Sequence, residues 1–241
     1  GRSALFLQLA LPYVRWRLAR HFEGVWVHGL PELSELSRRG PLILAANHVA
    51  WWDPLVLVAV LQSAGLEAHY LMGAEGLREL AFFRRAGALP LHARGPHRIA
   101  EDLAAALRVC RKPGQVLVVF PQGAQQPTGL PLNLHRGAAL LARRAHAPLV
   151  PLALRYEYGE GPRPRAYVAF GAPLRAEEED ARTLDTLRLG LEEALSRSLR
   201  EHLAHMAGSA PRHFEALGRP RGSGRLPRGS RWLTNLLGGP S

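Results

Sequence analysis

The sequence predicts an α/β fold in which helices flank a mostly parallel central sheet. Strand-like and helix-like stretches alternate along the 241 residues, and 47% of the residues are hydrophobic, which is enough for one sizeable core. Several strand-like stretches are short apolar runs, a pattern typical of strands buried on both faces. Glycine and proline clusters separate these runs from the helical stretches.

The elements follow from hydrophobic periodicity taken in chain order. Seven strands are predicted, over residues 25–28, 42–46, 68–72, 88–91, 116–120, 149–154 and 166–170. Four helices are predicted between them, over residues 55–63, 77–85, 97–111 and 137–145. A long polar helix is predicted over 177–206, because its acidic start suits the positive end of a helix dipole.

Composition divides the chain into three parts. We predict an N-terminal helix over residues 1–20 and the α/β domain over residues 21–206. We predict a flexible basic tail over residues 207–241, which are rich in Gly, Pro, Ser and Arg. The apolar stretch 5–14 is too short to span a bilayer and is followed by Arg15-Trp16-Arg17, a pattern typical of a helix lying in the membrane interface. It also suits a helix docked on the core with an exposed basic end.

The charge predicts a polyanionic partner. The formal net charge is +11, which favours either a membrane surface with anionic lipid or nucleic acid. No aromatic-interleaved recognition motif for nucleic acid is present, so the sequence favours a membrane-associated protein at the cytoplasmic face. The single cysteine excludes a disulfide scaffold and a cysteine-rich metal site, and no metal centre is predicted.

One histidine and one aspartate stand out at the end of the second predicted strand. Asn47-His48 follows the apolar run 42–46, and Asp53-Pro54 predicts a helix N-cap followed by proline at the first helical position. An imidazole on such a turn can take a proton from a hydroxyl, and a carboxylate on its other nitrogen fixes the tautomer. The alternative is a turn histidine beside an ordinary N-cap.

The same spacing recurs at His97 and Asp102. This second pair lies inside the predicted helix 97–111, where residues five apart do not share a face. We therefore interpret it as a coincidence.

Four further segments stand out as candidate functional blocks. Gly87 to Arg94 forms a short strand that ends in a cation, and Phe120-Pro121-Gln122-Gly123 forms a tight turn after another buried strand. Downstream, Arg136-Gly137 opens a helix and Val150-Pro151 opens a strand. Taken singly, Arg94 and Arg136 could be solvated cations.

Together and in this order, the blocks resemble the glycerolipid acyltransferases, the family that includes lysophosphatidic acid acyltransferase. The resemblance covers roughly residues 20 to 175 and begins with the Asn-His-x4-Asp block at Asn47 to Asp53. It implies that His48 is the general base and Asp53 its partner. By the same resemblance, the residues that meet the substrates are Asn47, Arg94, Pro121, Gln122, Gly123 and Arg136.

The resemblance implies transfer of a fatty acyl group from an acyl thioester to a lipid hydroxyl. The donor would be acyl-CoA or acyl carrier protein, and no resident cofactor is expected. Two departures concern the acceptor: Gln122 replaces a glutamate, and Ala124-Gln125-Gln126 replaces Thr-Arg-Ser. Uncharged amides suit sugar hydroxyls, so the sequence favours a glycosylated lipid or carotenoid. The alternatives are a lysophosphatidic acid acyltransferase, an inactive lipid-binding protein and a basic nucleic-acid-binding protein.

Overall fold

The computed structural model describes residues 3–79, 81–127, 131–175, 183–206 and 214–217. In these ranges, the strands are β1 (Gly24–His28), β2 (Leu42–Ala46), β3 (Glu67–Gly73), β4 (Ala88–Leu91), β5 (Gln115–Val119), β6 (Leu149–Tyr158), β7 (Pro164–Phe170) and β8 (Glu215–Ala216). The helices are α1 (Ala4–His21), α2 (Leu30–Arg39), α3 (Asp53–Ser63), α4 (Ala74–Glu79), α5 (Ala81–Ala86), α6 (Pro96–Val109), α7 (Gly137–Ala145) and α8 (Thr183–Met206).

All the described strands belong to one sheet, in the order β4-β3-β5-β2-β6-β7-β1-β8. The five strands from β4 to β6 are parallel, β7 is antiparallel to β6 and parallel to β1, and β8 is antiparallel to β1. The predicted mostly parallel sheet is therefore confirmed. The carboxyl ends of β2, β3, β4, β5 and β6 meet at one edge, where ligands of open α/β sheets commonly bind.

The central strand β2 separates two hydrophobic cores. Its residues Leu42, Leu44 and Ala46 face a core that includes side chains of α1 and α3. Ile43 and Ala45 face a second core with side chains of α6, α7 and α8. All five residues are buried, as expected for a strand covered by helices on both faces. This packing holds the end of β2 rigidly.

Several predicted boundaries were wrong. Helix α2 was not predicted, because its polar sequence leaves only Leu33 and Ser37 buried and its start depends on Gly29 in the left-handed conformation. The predicted helix 77–85 is observed as parts of α4 and α5. Strand β6 continues four residues past the predicted end at Leu154. Of the predicted polar helix and tail, residues 177–182, 207–213 and 218–241 lie outside the described residues.

The predicted N-terminal helix is present as α1. Leu7, Val14 and Leu18 on one face are buried in the core. The opposite face exposes an apolar stripe of Leu5, Leu9, Tyr13 and Trp16, which we call the α1 stripe. The helix is thus docked and also presents apolar surface to solvent. Among the described residues, no helix combines the length and apolar character needed to cross a membrane.

Candidate active site

Asn47 ties the end of β2 to β6. Its side chain donates to the carbonyl of Leu154 at 2.9 Å and accepts from the backbone N–H of Leu154 at 2.7 Å. Asn47 is only 1% exposed, so its amide continues the pairing of the two strands where the backbone of β2 turns away. A contact between this amide and a substrate would require breaking those bonds.

His48 follows on the turn and pairs with Asp53. Its Nδ1 lies 2.7 Å from Oδ2 of Asp53, and the side chains are 19% and 0% exposed. An ionised carboxylate only accepts hydrogen bonds, so Nδ1 carries the proton and Nε2 is left as the proton acceptor. The ring of Phe120 packs on the imidazole, with centroids 4.4 Å apart. Together these contacts hold the imidazole in one tautomer and one orientation.

Asp53 does not cap α3, and the sequence prediction of an N-cap role was wrong. Asp53 is the first helical residue, and Trp52 occupies the cap position without a side-chain hydrogen bond. The carboxylate turns back to the preceding loop, where Oδ2 also accepts from the backbone N–H groups of Val49 and Ala50 at 2.8 and 3.0 Å. These donors fix the turn that carries His48.

Gln122 joins the turn after β5 to the turn after β2. Its Oε1 accepts from the backbone N–H of His48 at 2.6 Å, and its Nε2 donates to Oε1 of Gln126 at 2.7 Å. The backbone N–H of Gln126 in turn donates to the carbonyl of His48 at 2.9 Å. Buried Gln122 therefore holds the backbone of the histidine turn.

The turn after β5 depends on Gly123. Its φ of +73° is a left-handed conformation that favours glycine, and an added Cβ would approach the ring of His135 to 3.3 Å. Pro121 is buried beside it, and its carbonyl accepts from the backbone N–H of His135 at 2.8 Å. This turn stands next to His48 because β5 and β2 are neighbouring parallel strands.

The two arginines expected at the site lie in different surroundings. Arg94 is exposed just beyond β4, on the same sheet edge as His48 but three strand spacings away, or about 14 Å. Arg136 forms an ion pair with Asp185 of α8 at 2.8 Å. The distance to Arg94 suits an extended ligand, whereas Arg136 already has an acidic partner.

The expectation that His97 and Asp102 do not pair is confirmed. His97 is 3.2 Å from Glu101, whereas Asp102 accepts from the backbone N–H of His92 and lies 2.8 Å from its Nδ1. The pairing of His92 with Asp102 was not predicted from the sequence. Their partnership depends on the packing of α6 against β4, which the sequence separation of ten does not reveal.

Tyr156 was also missed. Its hydroxyl donates to Oδ1 of Asp53 at 2.6 Å. The predicted strand stopped at Leu154, although Tyr156 and Tyr158 continue it with strand-forming residues at alternate positions. That alternation was the available signal.

Cys110 lies in the core, where burial raises the pKa of its thiol to about 12, so it stays protonated at neutral pH.

Comparison with known proteins matches the part of the chain that contains these site residues. The family model described as Acyltransferase matches residues 25–155, which include the His48–Asp53 pair, Arg94 and the turn after β5. The chain belongs to the acyltransferase family. The matched residues make up more than half of the sequence.

Two relatives of this chain have the same protein name. Proteins named 1-acyl-sn-glycerol-3-phosphate acyltransferase from Limnanthes douglasii and Limnanthes alba are each 25% identical over 161 residues. Each match covers 62% of this chain and 56% of the relative, so the chain spans little more than half of their length. The solved 1-acyl-sn-glycerophosphate (LPA) acyltransferase PlsC of Thermotoga maritima has the same fold, with a TM-score of 0.61 and 18% identity over 82% of this chain and 80% of that one.

Proposed function

We propose that this protein is an O-acyltransferase that moves a fatty acyl group from an acyl thioester to a lipid hydroxyl. The observation that carries the proposal is the 2.7 Å pairing of His48 Nδ1 with buried Asp53, which leaves Nε2 as a base at the open edge of the sheet. The donor is acyl-CoA or acyl carrier protein, since both present the same thioester.

The chemistry requires no nucleophile from the protein, because a thioester is already activated. Nε2 of His48 takes the proton of the acceptor hydroxyl as its oxygen attacks the thioester carbonyl carbon. The carbon–sulfur bond then breaks, and the leaving thiolate recovers the proton from the imidazolium. Asp53 stabilises the imidazolium in between, and we expect hydrogen-bond donors near the turn after β5 to stabilise the oxyanion.

The favoured acceptor is a lysophosphatidic acid, a glycerol phosphate with one acyl chain. The names of both Limnanthes relatives and of the Thermotoga maritima protein support this choice. The phosphate needs a cation, and Arg94 is exposed at the same sheet edge as His48. An extended lipid can span the three strand spacings, about 14 Å, that separate β4 from β2.

A neutral acceptor, such as a glycosylated lipid or carotenoid, is the second candidate. The turn after β5 supports it, because residues 122–126 carry no charge and so offer no cation to a phosphate. Arg136 is paired with Asp185 and so offers less attraction for a phosphate.

An acceptor panel tests both candidates. We expect thiol release from acyl-CoA or acyl carrier protein with lysophosphatidic acid, and we expect Arg94→Ala to raise the KM for that acceptor roughly 10-fold, since it removes a charge-assisted contact. The control is Arg39→Ala, an exposed arginine at the end of α2, on the opposite edge of the sheet. Turnover of a glycosylated lipid alone, insensitive to Arg94→Ala, would establish the second candidate instead.

We propose that the α1 stripe binds a membrane surface with anionic lipid. Leu5, Leu9, Tyr13 and Trp16 lie on one helical face, and Arg20 continues that face with its guanidinium 5.9 Å from the Trp16 ring. Apolar side chains flanked by arginine are typical of interfacial helices.

Vesicle binding checks this surface. Replacing Leu9 and Trp16 together with serine should weaken binding to mixed phosphatidylcholine and phosphatidylglycerol vesicles roughly 10-fold or more, because two apolar side chains leave the interface. Added salt should weaken wild-type binding through screening. Leu189→Ser on α8 is the control, since it changes an exposed leucine on the other side of the sheet. Equal binding of the double variant and this control would contradict the proposal.

A further inference from the structure

Both oxygens of the Asp53 carboxylate accept hydrogen bonds. Oδ2 accepts from His48 and from the backbone of Val49 and Ala50, all of which belong to the same turn. Oδ1 accepts from the hydroxyl of Tyr156 at 2.6 Å, across 103 residues of sequence. Within the part of the chain that the structure describes, Tyr156 is therefore the hydrogen-bond partner that reaches the Asp53 side chain from outside its own loop.

Tyr156 is held in place by the sheet and by α1. Its backbone pairs with Ala166 of β7, and its ring packs on Phe22 with centroids 5.5 Å apart. Burial and the nearby Asp53 carboxylate raise the pKa of Tyr156 well above its usual value. The hydroxyl consequently keeps its proton wherever an imidazole base operates and remains a donor to Oδ1.

We propose that Tyr156 is a positioning residue for the His48–Asp53 pair, a proposal that rests on the function proposed above. A carboxylate can turn about its terminal bond, and that torsion is broad. With Oδ1 bonded to a hydroxyl on the rigid sheet, Oδ2 stays directed at Nδ1 of His48. Loss of the hydroxyl would leave Oδ1 buried without this donor and free the carboxylate to turn, so the imidazole would spend less time in its reactive orientation.

The alternative role for this bond is purely structural: it satisfies a buried oxygen and contributes only to stability. The two roles predict different results. A purely structural hydroxyl affects the melting temperature alone, whereas a positioning hydroxyl affects kcat through Asp53.

The test compares Tyr156→Phe with Tyr158→Phe, which removes an exposed hydroxyl from the same strand. We expect Tyr156→Phe to lower kcat roughly 10-fold with little change in KM, in line with the loss of a hydrogen bond to a charged group. Tyr158→Phe should match the wild type. In an Asp53→Asn background, Tyr156→Phe should cause little further loss, because its path runs through the carboxylate. Phe22→Leu, which loosens the ring but keeps the hydroxyl, should cause a smaller loss in the same direction.

A second measurement does not depend on catalysis. The proton shared by Nδ1 of His48 and Asp53 should give a far-downfield NMR signal in the wild type and in Tyr158→Phe, and this signal should broaden or vanish in Tyr156→Phe. An unchanged signal in folded Tyr156→Phe would overturn the proposal, as would an additive loss of kcat in the Asp53→Asn background. If the wild type transferred no acyl group to any acceptor, the proposed function would fail, and the NMR signal would still decide whether Tyr156 positions the pair.

Discussion

His48→Ala is expected to lower acyl transfer roughly 1,000-fold or more, because it removes the proposed base for the acceptor proton. The fold should persist, since Oδ2 of Asp53 keeps the backbone donors of Val49 and Ala50. The measurement is thiol release from the acyl thioester with saturating acceptor, together with the melting temperature. A loss of kcat at nearly unchanged melting temperature is the expected pattern.

His97→Ala is the matched control for this variant. His97 also lies five residues before an aspartate, but its side chain is 90% exposed and its acidic neighbour is Glu101. We expect its kcat to equal that of the wild type. An inactive His97→Ala beside an active His48→Ala would show that the base was assigned to the wrong histidine.

Asp53→Asn should lower kcat roughly 1,000-fold, nearly as much as His48→Ala, because a neutral amide cannot stabilise the imidazolium as a carboxylate does. The amide oxygen can replace Oδ2 toward the loop donors, and the amide nitrogen can donate to the oxygen of Tyr156. The fold is therefore expected to persist, with a moderate fall in melting temperature. Kinetics and thermal unfolding on the same preparation would separate the two effects.

Asp102→Asn provides a comparison of the same chemical change. Asp102 is another mostly buried carboxylate, and it lies 2.8 Å from Nδ1 of His92 on the same sheet edge. Asp102→Asn should lower the melting temperature as much as Asp53→Asn does, but it should lower kcat far less, because His92 has no proposed role in proton transfer. Equal losses of kcat in both variants would mean that Asp53 acts only through folding.

Local sequence patterns predicted most of the framework. Apolar runs such as residues 42–46 identify a buried strand because every one of their side chains has to leave water, whatever the neighbouring elements are. The alternation of strand-like and helix-like stretches predicted a mostly parallel sheet, which the strand pairing confirms. His48 and Asp53 lie five residues apart across a strand-to-helix turn that brings them together, whereas His97 and Asp102, at the same spacing, have other partners.

Other features depended on contacts between distant parts of the chain. Tyr156 reaches Asp53 across 103 residues, and Gln122 reaches the backbone of His48 across 74. Neither bond leaves a periodic signal, because each depends on which strands become neighbours and on how far β6 extends. The sequence by itself thus determined the α/β class, the buried central strands and the His48–Asp53 pair. Only the tertiary structure decided what holds that pair, because hydrogen-bond partners are set by positions in space.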